Sequence, residues 1–261
     1  MVTIRTAGLK SANMFSIFKN IFHSGSEEVE YTSCLKTDLH SHLLPGIDDG
    51  VQTMDEAITL VRGFAELGYT KLITTPHVMQ DFYRNEPETI LRLAEELRNR
   101  IKELDIQVDI EAAAEYYLDE GLVDKVEQNK KLLLFGDNYL LFETSFIDKP
   151  MYLDEFIFTC TSKGIHPVLA HPERYAYIHN NPNLLDELRT RGVLLQVNAN
   201  SISGYYSKEV RKLARKMIDE RKISFVGSDC HSEKHMEVLK NTVNDPYFKK
   251  ACSLPLLNSS C

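Results

Sequence analysis

The residues of this 261-residue chain best suited to chemistry are short strings of His, Asp and Glu. In order they are His40-Ser41-His42, Asp48-Asp49-Gly50, Thr75-Pro76-His77, Glu115, Glu143, His171-Pro172-Glu173-Arg174 and Asp229-Cys230-His231. Imidazoles and carboxylates without thiolates suit Mn, Fe or Zn, and argue against structural zinc of the thiolate type. In extended backbone, residues two apart face the same side. His40 and His42 are therefore expected to chelate one ion together, as are Asp229 and His231, with Ser41 and Cys230 turned away. The candidates exceed what one ion takes. Two or three ions are expected, with a carboxylate such as Glu143 bridging a pair about 3.5–4 Å apart, as in two-metal hydrolases.

Each string alone has an ordinary structural reading. His-x-His can be a buried hydrogen-bonded pair, and Asp-Asp-Gly a turn. Thr75-Pro76-His77 can be a strand exit, Glu143 a satisfied interior carboxylate, and His171–Arg174 a helix start with a salt bridge. The case for metal lies in their convergence, because buried groups of this kind, clustered, need cations to offset desolvation. His23, His166 and His179 fall outside the pattern, in a tail, at a strand start and in an Asn-rich loop. Cys230 reads as a packing residue. The Cys-x5-Arg motif of thiol-based tyrosine phosphatases is absent around every cysteine.

The elements that must bring these strings together follow from hydrophobic patterning. From Leu35 onward, short apolar runs alternate with helical periods, which signals β/α units and a parallel sheet. Strands are expected to end near Leu39 and to run over 71–75, 108–114, 139–142, 167–170, 193–197 and 223–226. A helix from Thr53 has a Thr53–Glu56 capping box and is stopped by Gly68. Another starts near Pro87 with an apolar stripe of Ile90, Leu91, Ala94, Leu97, Ile101 and Leu104. Further helices are expected over 152–163, 184–191 and 208–220, and a short one from Glu233. Seven β/α units predict a barrel rather than an open sheet. In a parallel barrel all strand C-termini share one face. Six of the seven expected strands lead directly into His, Asp or Glu, and the remaining one into Asn198.

Composition sets outer bounds. The net charge of −8, with no block of Lys and Arg, makes nucleic acid an unexpected partner. Bound cations would make the loaded protein less negative than this count. The five cysteines, Cys34, Cys160, Cys230, Cys252 and Cys261, show no Cys-x-x-Cys pair. No disulfide framework is expected, and a reduced, cytoplasmic setting fits best. Residues 1–34 read as an N-terminal extension or linker before a barrel over 35–261. The apolar run 14–22 is shorter than the roughly 20 residues a membrane span needs. It reads as a docking segment or frayed tail, with weak membrane-surface contact as the alternative. Met14 is an alternative natural start to Met1, and no signal-peptide cleavage pattern is seen.

At these motifs the chain resembles the PHP superfamily of metal-dependent phosphoesterases, over residues 37–231. The longer strings Asp-Leu-His-Ser-His-Leu-Leu-Pro-Gly-Ile-Asp-Asp-Gly, Thr-Pro-His and Ala-His-Pro-Glu-Arg-Tyr are most similar to its bacterial manganese-dependent protein-tyrosine phosphatases. That branch acts with bacterial tyrosine kinases of capsule and exopolysaccharide export. The resemblance implies a distorted seven-stranded α/β barrel and three metals, with Mn²⁺ the expected ion and Fe or Zn as alternatives. It implies that His40, His42, Asp49, His77, Glu115, Glu143, His171, Asp229 and His231 are metal ligands. A third ion would lie near Asp49, His77 and Glu115, and Arg174 would bind phosphate. The implied reaction is phosphomonoester hydrolysis, on protein phosphotyrosine, by a hydroxide held between two cations. The alternatives are a histidinol-phosphate phosphatase or other small-molecule phosphoesterase, a nuclease-like phosphodiesterase, and a metal-loaded regulatory module without turnover.

One departure concerns charge. In that branch a second arginine follows the last Ser-Asp-x-His by about five residues, whereas Ser232–Met236 contains none. His235, Lys234 and Arg84 are the candidates to replace it. His235 is preferred as a catalytic residue because an imidazole can also protonate a leaving oxygen. Tyr83, Tyr175, Tyr205 and Tyr206 are candidates for an aromatic cleft.

Overall fold

The computed structural model describes residues 32–261, so the run 14–22, His23 and the two candidate starts lie outside the described residues. Strands alternate with one or two helices along most of the described residues. The elements are β1 (Thr37–Leu39), α1 (Met54–Glu66), β2 (Lys71–Thr74), β3 (His77–Val78), α2 (Pro87–Glu103), β4 (Asp109–Ala112), β5 (Glu115–Tyr117), α3 (Glu120–Glu127) and β6 (Tyr139–Glu143). There follow α4 (Leu153–Ser162), β7 (His166–Ala170), α5 (Ala176–Asn180), α6 (Leu184–Thr190), β8 (Leu194–Asn198), α7 (Ala199–Ser203), α8 (Lys208–Asp219), β9 (Phe225–Gly227), α9 (Glu233–Thr242) and α10 (Pro246–Cys252).

Every strand pair is parallel. One sheet has the order β1-β2-β4 and the other β3-β5-β6-β7-β8-β9. The long strands β6 and β7 are largely apolar on both faces, as parallel strands covered by helices require. Alternation then sorts the side chains. Leu140 and Phe142 of β6 join the large core beneath the helices, while Tyr139 and Leu141 join a smaller core on the opposite face with Leu39, Ile73, Val168, Ala170 and Phe225. The sheets meet where β1 and β9 end. The Asp229 amide donates to the His40 carbonyl (2.7 Å), and the His42 amide donates to the Cys230 carbonyl (2.9 Å). Gly227 permits this approach, since a Cβ there would lie 2.5 Å from the Leu39 carbonyl oxygen.

Local signals placed the helix ends well. Thr53 and Glu56 form the expected capping box, and Gly68 ends the turn after α1 at φ +81°. Pro87 opens α2, but its buried stripe is Ile90, Leu93, Ala94, Leu97 and Ile101. Leu91 is exposed because a 3.6-residue period carries it off the core face, and Leu104 because it is the C-cap, beyond the last helical residue. The expected strands 71–75 and 108–114 form β2 and β4, and each is followed, after a two-residue break at Thr75-Pro76 or Ala113-Ala114, by a further short strand, β3 or β5. Proline has no amide hydrogen to continue a ladder.

No disulfide framework was expected, and one disulfide is found among the described residues. Cys34 and Cys252 are joined, with Cα atoms 6.2 Å apart, tying the segment before β1 to the end of α10. Their separation of 218 residues explains why no local spacing motif announced the pair. Cys160, Cys230 and Cys261 are free, and Cys230 is buried in the core, as its packing role requires. No helix among the described residues is long and apolar enough to cross a membrane.

Candidate active site

The strand exits deliver the chemistry-bearing side chains to one cluster. His40 and His42 follow β1, Asp49 lies in the turn beyond, and His77 and Glu115 begin β3 and β5. Glu143 ends β6, His171 follows β7, and Asp229 and His231 follow β9. Their ligand atoms form four overlapping groups, each within 4.8 Å: His42-Asp49-His77-His231, His40-His42-Asp229, His40-Glu115-His171 and His77-Glu115-Glu143. The four groups together contain all nine residues singled out in the sequence.

The backbone that achieves this differs from the extended one expected for the two short pairs. His40, His171 and Asp229 all have positive φ, at 106°, 33° and 52°. Such conformations cost on the order of 1–3 kcal/mol each in a non-glycine residue and persist only where the surroundings hold them. At His40 the hold is visible. Its amide donates to the Ile73 carbonyl, and its carbonyl accepts from the Asp229 amide and the Ser228 hydroxyl.

Donor chemistry tests whether the cluster fits cations. Among the described residues, nine buried side-chain polar atoms lack a hydrogen-bond partner. Four of them converge here: His40 Nε2, His42 Nε2, His77 Nδ1 and Glu115 Oε2. An unsatisfied buried polar group costs about 1–3 kcal/mol. Lone pairs converging at that cost are what divalent cations satisfy, and the His/carboxylate set suits Mn, Fe or Zn.

Neighbours outside the cluster aim it. Asp48, the first carboxylate of Asp-Asp-Gly, is buried and accepts from His42 Nδ1 (2.8 Å) and from the His77 amide (3.0 Å), while Asp49 remains half exposed at the mouth. On β8, Gln196 meets His40 and Asn198 meets Asp229. The sequence reading missed Gln196. The signal was the two-residue strand period, which puts it on the same face as Asn198.

The cluster forms the floor of a cavity of about 920 Å³. Arg174 lines it, clamped between the rings of Phe146 (4.8 Å) and Tyr206 (4.3 Å), with Nη1 donating to Asp229 Oδ2 (2.9 Å). Lys234 and His235, in the first turn of α9, line it too, as do Tyr83, Tyr205 and Tyr206. Two expectations are corrected. Tyr175 is fully buried, its hydroxyl accepting from the Thr144 amide, so it packs the core and does not line the cleft. Arg84 lines a neighbouring cavity, where its Nε donates to the Gln80 carbonyl.

The charges within the cluster are strongly coupled. Burial opposes the charged form of His40, but Glu115 and Asp229 outweigh it and raise its pKa to about 9. His77 is raised to about 10 by Glu115 and Asp49 against the same burial, and His231 to about 8 by Asp229 and Asp49. Burial raises Glu143, reinforced by the charge of Glu115. Burial pushes His171 down to about 4, and lowers His235, with the charge of His231 adding to it.

These shifts set a pH dependence for protein stripped of cations. A histidine whose folded pKa exceeds its unfolded 6.5 contributes stability that is complete below that pH. The contribution is lost as pH rises through the folded values, and the raised Glu143 acts in the same direction. Tm of the stripped protein is therefore expected to fall between about pH 6.5 and 10. Calorimetry across that range checks it, and a flat Tm would refute it. Cation uptake near neutral pH should release protons, since ligating imidazoles must be neutral.

Comparison with known proteins agrees with this geometry. Residues 36–247 match the family model for capsular polysaccharide synthesis, CpsB/CapC. The tyrosine-protein phosphatase YwqE of Bacillus subtilis is 32% identical over 198 residues, covering 76% of this chain and 78% of YwqE. The tyrosine-protein phosphatase CpsB of Streptococcus pneumoniae is 27% identical over 200 residues, covering 75% and 82%. A chain from the crystal structures of YwqE from Bacillus subtilis and CpsB from Streptococcus pneumoniae, described as metal-dependent tyrosine phosphatases, superposes with a TM-score of 0.75. That match has 28% identity and covers 83% of this chain and 89% of the other. An amidohydrolase from Mycoplasma synoviae, at TM-score 0.54 and 11% identity over 89% and 88% of the two chains, shares the fold alone. With four-fifths of its length matched, and its strand exits converging on one cluster, the chain belongs to the CpsB/CapC family of capsular polysaccharide synthesis.

Proposed function

We propose that this protein is a metal-dependent phosphatase that hydrolyses phosphotyrosine in proteins, within a capsule or exopolysaccharide pathway and on the cytoplasmic side. A bacterial tyrosine kinase of polysaccharide export is the expected substrate. The observation that carries the reading is the joining of four overlapping His/carboxylate groups to an aromatic-lined cavity that holds Arg174. Residues 35–261 form the catalytic barrel on this reading, after the extension 1–34. On the same reading β2 with β3, and β4 with β5, each count as one strand of a distorted seven-stranded (β/α)7 barrel.

His40, His42, Asp49, His77, Glu115, Glu143, His171, Asp229 and His231 would hold two or three ions, with Mn²⁺ the first candidate and Fe or Zn the others. When bound, such ions supply Lewis acidity to a phosphoryl oxygen and lower the pKa of water. The protein's own groups do the rest. The Arg174 guanidinium is held by Asp229, Phe146 and Tyr206 in a fixed orientation toward the cavity, suited to equatorial phosphoryl oxygens. Lys234 adds a second cation at the rim, its Nζ lying 5.6 Å from the Tyr205 ring centroid. Burial and the charge of His231 favour the neutral form of His235; with its Nδ1 accepting from the His231 amide at 3.3 Å, the hydrogen sits on Nε2, from which it is available to the leaving oxygen of the substrate. A phenolic leaving group, with pKa about 10, needs that help less than an alkyl alcohol does. Tyr83, Phe146, Tyr205 and Tyr206 give an aryl ester an aromatic wall.

The deciding assay presents a phosphotyrosine peptide beside histidinol phosphate, with Mn²⁺ added. The expected outcome is a higher kcat/KM for the peptide. Preference for histidinol phosphate would make this a small-molecule phosphatase. Stoichiometric metal uptake without turnover of either would make it a regulatory module.

A further inference from the structure

We propose that Gln196 and Asn198, neighbours on the inner face of β8, are positioning residues. Their hydrogen bonds hold His40 as the Nδ1–H tautomer, with Nε2 free for a cation, and turn Asp229 Oδ1 toward the same cluster. The inference rests on reading that cluster as a metal centre.

Hydrogen-bond polarity fixes each group in turn. Asp229 Oδ2 is surrounded by donors: Arg174 Nη1 at 2.9 Å, Asn198 Nδ2 at 2.6 Å and the Tyr206 hydroxyl at 3.3 Å. An ionised carboxylate only accepts, so Asn198 must present its NH₂ to Asp229. Its Oδ1 is thereby committed to the other side, where Gln196 Nε2 donates to it at 2.8 Å. That commits Gln196 Oε1 to His40 Nδ1, 2.9 Å away. An amide oxygen cannot donate, so His40 Nδ1 must carry a hydrogen. The proton-free nitrogen is then Nε2, a buried atom without a hydrogen-bond partner, 3.4 Å from Asp229 Oδ1 and 3.1 Å from Glu115 Oε2. Polarity thus passes from a carboxylate on one strand exit, through two amides, to an imidazole on another.

All four residues are at most 2% exposed, so water has no room to rescue a reversed amide. A reversed Gln196 would set its NH₂ against His40 Nδ1–H and its oxygen against Asn198 Oδ1. The contrast with His42 is instructive. There a carboxylate, Asp48, takes the Nδ1–H. Beside His40 the buried carboxylates Asp229 and Glu173 already bracket Asn198, and a third negative charge would raise the desolvation cost. A neutral amide gives the same direction without that charge.

The test uses the full chain loaded with Zn²⁺, which is diamagnetic, and with Mn²⁺. In the wild-type Zn²⁺ form, ¹⁵N–¹H correlation spectra should show His40 protonated at Nδ1 and coordinated through Nε2. Coordination through Nδ1, or no His40 coordination, would overturn the proposal without any variant. Gln196→Met, similar in shape but lacking the acceptor, should bind both ions about 10–100-fold more weakly in chelator competition. Asn198→Leu should weaken binding too, through loss of the hold on Asp229. Unchanged affinity in a folded Gln196→Met protein would refute the relay. Failure of the wild type to bind either ion would instead refute the metal-centre reading, so the two failures are distinguishable.

Discussion

Chelation is expected to abolish phosphoester hydrolysis by this protein, and Mn²⁺ to restore it. The expectation follows from buried atoms of His40, His42, His77 and Glu115 that converge without making a hydrogen bond. A site built from so many imidazoles and carboxylates lacks its electrophile without cations, and its residual rate should fall below detection. Removal should also lower Tm, because a ligand that binds the folded state alone stabilises it by mass action. Elemental analysis beside the assay is the check. Full activity in a preparation shown to be metal-free would refute the reading.

The second large effect is at Arg174. Removing a fixed donor that meets developing charge typically costs about 10²–10³ in kcat. Arg174→Ala is expected to fall in that range, with metal content retained, since Arg174 touches the cluster only through Asp229 Oδ2. Lys at 174 should recover little, because a point charge cannot stack between Phe146 and Tyr206 as a planar guanidinium does. Steady-state kinetics with parallel metal analysis decide it. If metal is lost with activity, Arg174 is a structural partner of Asp229 and not a phosphate-binding group.

Much of the site was legible because its ingredients recur at strand ends. Periodicity locates strands, and a parallel arrangement sends all their C-termini one way, so His40, His77, Glu143, His171 and Asp229 converge whatever the intervening helices look like. The helix starts were equally legible, since the Thr53–Glu56 box closes within four residues. The two-residue spacing of His40 with His42 was a weaker guide, because His40 is not in extended backbone.

By itself the sequence determined what is local or repeated: the β/α alternation, the helix caps, the ligand-rich strand exits and the absence of a nucleophilic-cysteine motif. The tertiary structure decided what depends on pairs remote in the chain. His40 and Gln196 are 156 residues apart, Asp38 and Ser228 are 190, and Cys34 and Cys252 are 218. It decided that Asp48 steadies His42 while Asp49 lies at the mouth, that Arg174 is held between two rings, and that Tyr175 packs inward. The physical reason is that a cap or a turn is stabilised by bonds to near neighbours in the chain. The direction of a buried donor, by contrast, is set by whichever acceptor the closed sheet brings within 3 Å, and no spacing in the sequence records that.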